Sequence, residues 1–180
     1  MAELPPVVVW VVSAVLVEAA VIDGLKLKVP NWLTFHLLAG GLAFSGWYGG
    51  WAGFSGSLQG AGLGLALMLP LYMIGGMGAG DVKLFAGVGA WVGPVVTLWA
   101  FVATVEVGGV MALAMIAWSG RWAHHWAMLQ TIVHEILTVR DPAKLSTIAA
   151  ARKPSMTLLP YGIPLTVGSI AYFAWAGLMV

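Results

Sequence analysis

Residues 7–22 carry a single ionisable side chain, Glu18, and comparable apolar stretches recur at 32–47, 58–74, 82–96, 97–118 and 159–180. Runs of this kind suit a lipid solvent, where a helix needs roughly 20 predominantly apolar residues to cross. With 61% hydrophobic and 8% charged residues in 180, too little polar surface remains to cover a soluble fold. The expectation is an all-α membrane protein, a single membrane domain over 1–180. It has about six transmembrane helices, with an interfacial amphipathic helix on the cytoplasmic side between the fifth and sixth.

The stretch 82–118 is the pivotal one for that count. A proline cannot continue the helical hydrogen-bond ladder, so Gly93-Pro94 is read as a turn between two shorter spans. The opening Met1-Ala2-Glu3-Leu4-Pro5-Pro6 has no basic residue before the apolar run, so a removable secretory signal is not expected. Absence of cysteine excludes disulfides, thiol catalysis and cysteine-based zinc sites. A formal net charge of +1, with no dense basic stripe, argues against nucleic acid as a partner.

Basic residues supply an orientation. Lys26 and Lys28 follow the first span, Lys83 lies at the turn between the third and fourth, and Arg121, Arg140, Lys144, Arg152 and Lys153 lie between the fifth and sixth. The alternate connections, 46–57 and Gly93-Pro94, have none. The positive-inside rule therefore puts the lysine-bearing turns in the cytoplasm and both termini outside.

Several segments read as structural. The Trp-, Tyr- and Gly-rich stretch 46–57 suits an aromatic belt at the outer interface. Gly60, Gly62 and Gly64 are read as a small-residue face that lets helices approach closely. Over 119–158, Trp122, Trp126, Leu129, Ile132, Val133 and Ile136 recur at helical spacing, as on a helix lying at the membrane surface. His124, His125, His134 and Glu135 share that segment but match no HExxH spacing, so no metal site is expected.

Asp23 ends the first apolar run and Asp81 follows Gly75-Gly76-Met77-Gly78-Ala79-Gly80. Carboxylates at membrane depth are costly and usually mark function. The orientation puts both on the cytoplasmic face, where they can meet as an aspartic-protease pair. One activates water as a base; the other, protonated, polarises a peptide carbonyl. Gly78 and Gly80 then permit a sharp turn and keep bulk away from a substrate strand, with amide N–H groups open to it. A phosphate loop is rejected, because these glycines follow a membrane span and not a strand of a βαβ unit.

Three elements together carry a resemblance. Asp23 with Lys26, Lys28 and Val29-Pro30-Asn31, then Gly78-Ala79-Gly80-Asp81-Val82-Lys83, then Pro160-Tyr161-Gly162-Ile163-Pro164, resemble the type IV prepilin peptidases, GxGD-type membrane aspartic peptidases. The resemblance implies an enzyme of the cytoplasmic membrane with Asp23 and Asp81 as catalytic residues and no cofactor. Its substrate is implied to be a prepilin-like protein with a hydrophobic N-terminal helix, cut on the cytoplasmic side behind a short basic leader. Longer family members carry paired CxxC motifs and methylate the new N-terminus. This cysteine-free chain is similar to the short, peptidase-only branch of Flp/Tad-type pili, for which methylation is not expected.

Two other classes of function compete. A small proton-coupled transporter would use Glu18 and Glu106, with the aspartates, as a relay. The sequence shows no inverted repeat of the kind transporters carry. A non-catalytic scaffold would use the aspartates only to hold helices together.

Overall fold

The computed structural model describes residues 4–139, 141–152 and 159–180; Arg140 and 153–158, the latter including Lys153 and the end of the 119–158 segment, lie outside them. The described residues form six helices: α1 (Pro6–Lys26), α2 (Asn31–Met73), α3 (Ala79–Ser119), α4 (Trp122–Thr138), α5 (Pro142–Arg152) and α6 (Gly162–Trp175). The first three are each long and apolar enough to cross a membrane.

At 1.5 Å per residue a straight helix of 43 residues would reach about 65 Å, twice the hydrocarbon thickness. Neither long helix is straight. α2 breaks at Gly50 (φ 57°, ψ −145°) and α3 at Gly93 (φ 75°, ψ 174°), backbone conformations that cost glycine little and side-chain-bearing residues much. Both chains fold back there. The Ser45 carbonyl lies against Gly53, and the Phe85 and Phe101 ring centroids are 6.2 Å apart. Pro94 follows the second break, where a missing N–H costs nothing, and the Thr97 hydroxyl donates to the Gly93 carbonyl at 2.7 Å. The turn expected at Gly93-Pro94 is thus present. The connection expected over 46–57 shrinks to one residue, because helix continues on both sides of Gly50; Trp47 and Trp51 remain among the most exposed side chains.

Segment 79–92 is the centre of the molecule. Val82, Leu84, Phe85, Val88, Ala90 and Val92 are all buried, so beyond Lys83 this stretch is apolar and enclosed on nearly every side. Both arms of α2 pack on it through small residues. Gly60 and Gly89 meet backbone to backbone, Gly64 lies on the Phe85 carbonyl, and Gly41 lies on Ala90. The expected small-residue face is therefore Gly60 and Gly64 only. Gly62 is exposed with open space above it, because a residue two positions on points to the opposite side of a helix. Hydroxyl and indole donors reinforce the packing: Ser57 to the Ala90 carbonyl at 2.6 Å, Trp91 to Leu37 at 2.7 Å, and Thr166 to Leu16 at 2.7 Å.

α6 closes the bundle between α1 and the second arm of α3, with Gly168 pressed on the Thr104 backbone. Large apolar side chains on the outer faces, such as Val21, Leu69, Leu98 and Val110, are exposed, as lipid contact requires. Within 119–158 the described residues between Trp122 and Arg152 form two helices, α4 and α5. α4 buries no residue, and Pro142 opens α5.

A side chain at position 60 has nowhere to go. Gly60→Leu should destabilise the protein by about 1–3 kcal/mol through overpacking, whereas Gly62→Leu should leave stability unchanged. Thermal unfolding in detergent, read as loss of the monodisperse species, distinguishes the two.

Candidate active site

Asp23 sits in the last turn of α1 and Asp81 in the first turn of α3, and each is only 4% exposed. They line one cavity of about 40 Å³ with Gly78 and Tyr161. That is room for a water molecule or two.

Each carboxylate is held by a backbone amide at the start of a helix. Gly78 is the residue before α3, and its N–H donates to Asp81 Oδ2 at 2.9 Å. Gly162 opens α6, and its N–H donates to Asp23 Oδ2 at 2.8 Å. The first N–H groups of a helix lack partners within it and face outward at the positive end of its dipole, so a carboxylate suits both positions. α1 ends at Leu27, left-handed at φ 50°, whose N–H returns to the Asp23 carbonyl at 2.7 Å. That reversal sends the chain along 27–30 towards α3.

Here the first two motifs lock together. Val29 is buried, and Gly80 lies so near the Val29 backbone that an added Cβ would come within 2.8 Å of its carbonyl oxygen. Lys83 Nζ donates to Asn31 Oδ1 at 3.0 Å and stands 5.3 Å from the centre of the Phe35 ring. The Val29-Pro30-Asn31 element is thus what seats the head of α3 beside the end of α1. The third motif supplies the other wall. Leu159, Pro160 and Tyr161 line the cavity.

From sequence, Gly78 and Gly80 are expected to face substrate with their amides open to it. In the structure Gly78 lines the cavity but its N–H is taken up by Asp81, and Gly80 is occupied by packing on Val29. Gly162 and Tyr161 were not singled out for the site. The signal was a glycine at a helix start behind a proline, whose unsatisfied N–H must find an acceptor. Glu18 and Glu106 are exposed on the outer faces of α1 and α3 and do not line the cavity, so a relay through them to the aspartates gains no support. On α4 His124 is exposed and His125 half-buried, with His125 Nε2 3.1 Å from the Ser119 hydroxyl.

Fold and cavity together define an all-helical membrane protein with a paired-carboxylate pocket at one end of its bundle. The profile described as the Type IV leader peptidase family matches residues 10–113, more than half the chain, and the chain belongs to that family. The matched region contains both aspartates. Family and apolar helices together point to the inner membrane. The chain is 37% identical over 113 residues to a prepilin leader peptidase/N-methyltransferase of Aeromonas hydrophila, and 36% identical over 113 residues to one of Aeromonas salmonicida. Each match covers 57% of this chain and 37% of the relative, so the similarity spans little more than a third of those proteins. No solved structure matches the chain.

Gly162 gives a direct test of this geometry. Its Cβ would stand 2.9 Å from the Asp23 Cβ and 3.0 Å from Oδ2, whereas a Cβ on neighbouring Gly24 would meet only Ile163 Cδ1 at an ordinary 3.7 Å. Gly162→Ala should strain or break this hydrogen bond to Asp23, at about 1–3 kcal/mol. Gly24→Ala should have no effect on stability in the same thermal unfolding measurement.

Proposed function

We propose that the chain is an aspartic endopeptidase of the cytoplasmic membrane. It removes the short basic leader of prepilin-like proteins, of the Flp type, with Asp23 and Asp81 as its catalytic pair. The observation that carries this reading is that two carboxylates, 58 positions apart in the chain, are buried on one water-sized cavity, each fixed by a backbone N–H. Family membership and the names of the Aeromonas relatives support it independently.

The chemistry follows from two close carboxyl groups sharing one proton. The ionised member takes a proton from water as the water oxygen adds to the scissile carbonyl carbon. The protonated member donates to the carbonyl oxygen, giving a tetrahedral diol. Collapse breaks the C–N bond, and the departing amine takes up a proton from the carboxyl pair. The pair titrates as a unit, so neither aspartate is assigned as sole base.

Six membrane crossings are the reading that the two breaks favour: α1, the two arms of α2, the two arms of α3, and α6. Lys26 and Lys83 adjoin the cavity end of the bundle, and the charge rule puts that end in the cytoplasm. α4 then lies on the cytoplasmic surface, with Trp122, Trp126 and Leu129 exposed to the interfacial lipid.

Asparagine keeps an acceptor oxygen for Gly78 or Gly162 but cannot exchange the proton. Asp23→Asn and Asp81→Asn should each abolish leader removal in cells co-expressing a prepilin with a basic leader, read by mass spectrometry of the product N-terminus, without loss of membrane insertion. Retained cleavage in either variant would sink the mechanism. A pure scaffold would instead lose thermal stability in the double variant.

Topology has its own check. In this cysteine-free chain, Trp51→Cys should react with an impermeant maleimide from outside the cell, and Trp122→Cys only after the membrane is opened. The reverse pattern would put the cavity on the other face.

A further inference from the structure

The arm formed by α4 and α5 is the part of the molecule that the peptidase mechanism leaves without a task. α4 buries none of its residues, yet α5 returns to the helix ends that form the cavity. Leu145 and Ala149 are buried, and the Ala149 methyl is 3.1 Å from where a Cβ on Gly75 would stand. Arg152, in the last turn of α5, joins three elements. Its Nη1 donates to Glu135 of α4, and its Nη2 donates to the Ile74 carbonyl at 3.0 Å.

Ile74 is the residue that ends α2. Carbonyls at a helix C-terminus lack partners within the helix and stand at the negative end of its dipole, so a guanidinium is well matched there. Its planar fork reaches two acceptors at once, which a lysine ammonium does not reproduce. Two residues further on, the chain enters Gly76-Met77-Gly78, the wall of the cavity, and Gly78 holds the Asp81 carboxylate. Gly75, at φ 82°, Gly76 and Gly78 leave this turn with conformational freedom to lose. The Gly75 and Gly76 N–H groups anchor its start on the Tyr72 and Leu71 carbonyls, both at 2.9 Å.

We propose that Arg152 is a positioning residue of the site: by bridging Glu135 and Ile74 it clamps the α4–α5 arm onto the 74–78 turn and so holds Gly78 and Asp81 in register. The proposal rests on the peptidase reading, and it gives the arm the task of ordering the wall of the cavity. A loosened turn displaces a reacting group without removing a substrate contact, so the loss belongs in kcat and not in KM.

The test uses the full chain in nanodiscs with a prepilin-like substrate carrying a basic leader, together with spin labels on Tyr72→Cys and Ile148→Cys, both partly exposed. Arg152→Ala should broaden the distance distribution between the labels and lower kcat about 10–100-fold, with KM within about threefold of wild type. Arg152→Lys should recover part of kcat, because one acceptor can still be reached. Glu135→Gln leaves the Ile74 bond in place and should lower kcat only a few-fold; it also serves should Arg152→Ala fail to insert. Wild-type kcat in Arg152→Ala, whether or not the distance broadens, overturns the proposal. So does a loss confined to KM. A wild type that removes no leader overturns the peptidase reading instead, while the label distance, which needs no substrate, still shows whether the clamp exists.

Discussion

The close backbone contact between Gly60 and Gly89 governs the rest of this molecule. In lipid no hydrophobic force presses one apolar helix on another, so association depends on van der Waals contact and on hydrogen bonds across helices. Small residues at 41, 60, 64 and 89 bring the arms of α2 onto segment 79–92 closely enough for side chains such as Ser57 and Trp91 to reach backbone carbonyls. A helix enclosed in this way has a fixed head, and Asp81 is at that head.

The other aspartate is fixed from the opposite end of the chain. Gly162 reaches Asp23 across 139 positions, Thr166 of α6 donates to the Leu16 carbonyl of α1, and Trp10 of α1 donates to the Met179 carbonyl just beyond α6. The two carboxylates are thus held in the same manner, by an amide at a helix start, but on separate frames. One frame is the glycine-packed pair α2 and α3, and the other is α1 with α6. The loop 27–30 joins them, with Val29 under Gly80 and Asn31 on Lys83. This explains why three short elements far apart in sequence are needed to define one cavity.

Much of this was legible in the sequence. Apolar run lengths and the two isolated aspartates are local properties, as is the Gly93-Pro94 break. The functions of single glycines were not, because a glycine pattern states only that a side chain is missing and not what fills the space. Gly80 looked open to substrate and is filled by Val29; Gly62 looked like part of a packing face and points away from it. Gly50, one of five glycines in the Trp- and Tyr-rich stretch 46–57, carries no local sign that it alone makes the turn. Arg152 was counted as one more basic residue of a surface segment, since its acceptors on Glu135 and Ile74 are 17 and 78 positions away.

The sequence by itself determined the solvent of this protein and singled out its candidate reactive groups. So few charges in such long apolar runs admit only a membrane fold, and two aspartates beside glycine and proline elements stand out as the candidates for its chemistry. Only the tertiary structure decided that those aspartates share a cavity and which amides hold them. It also decided that the Gly75–Gly80 turn is closed from outside by Val29 and α5. Apart from the Gly78 bond to Asp81, three positions away, these are contacts between residues far apart in the chain, set by how closely helices approach, and helix approach depends on the joint shape of two surfaces that no local pattern records.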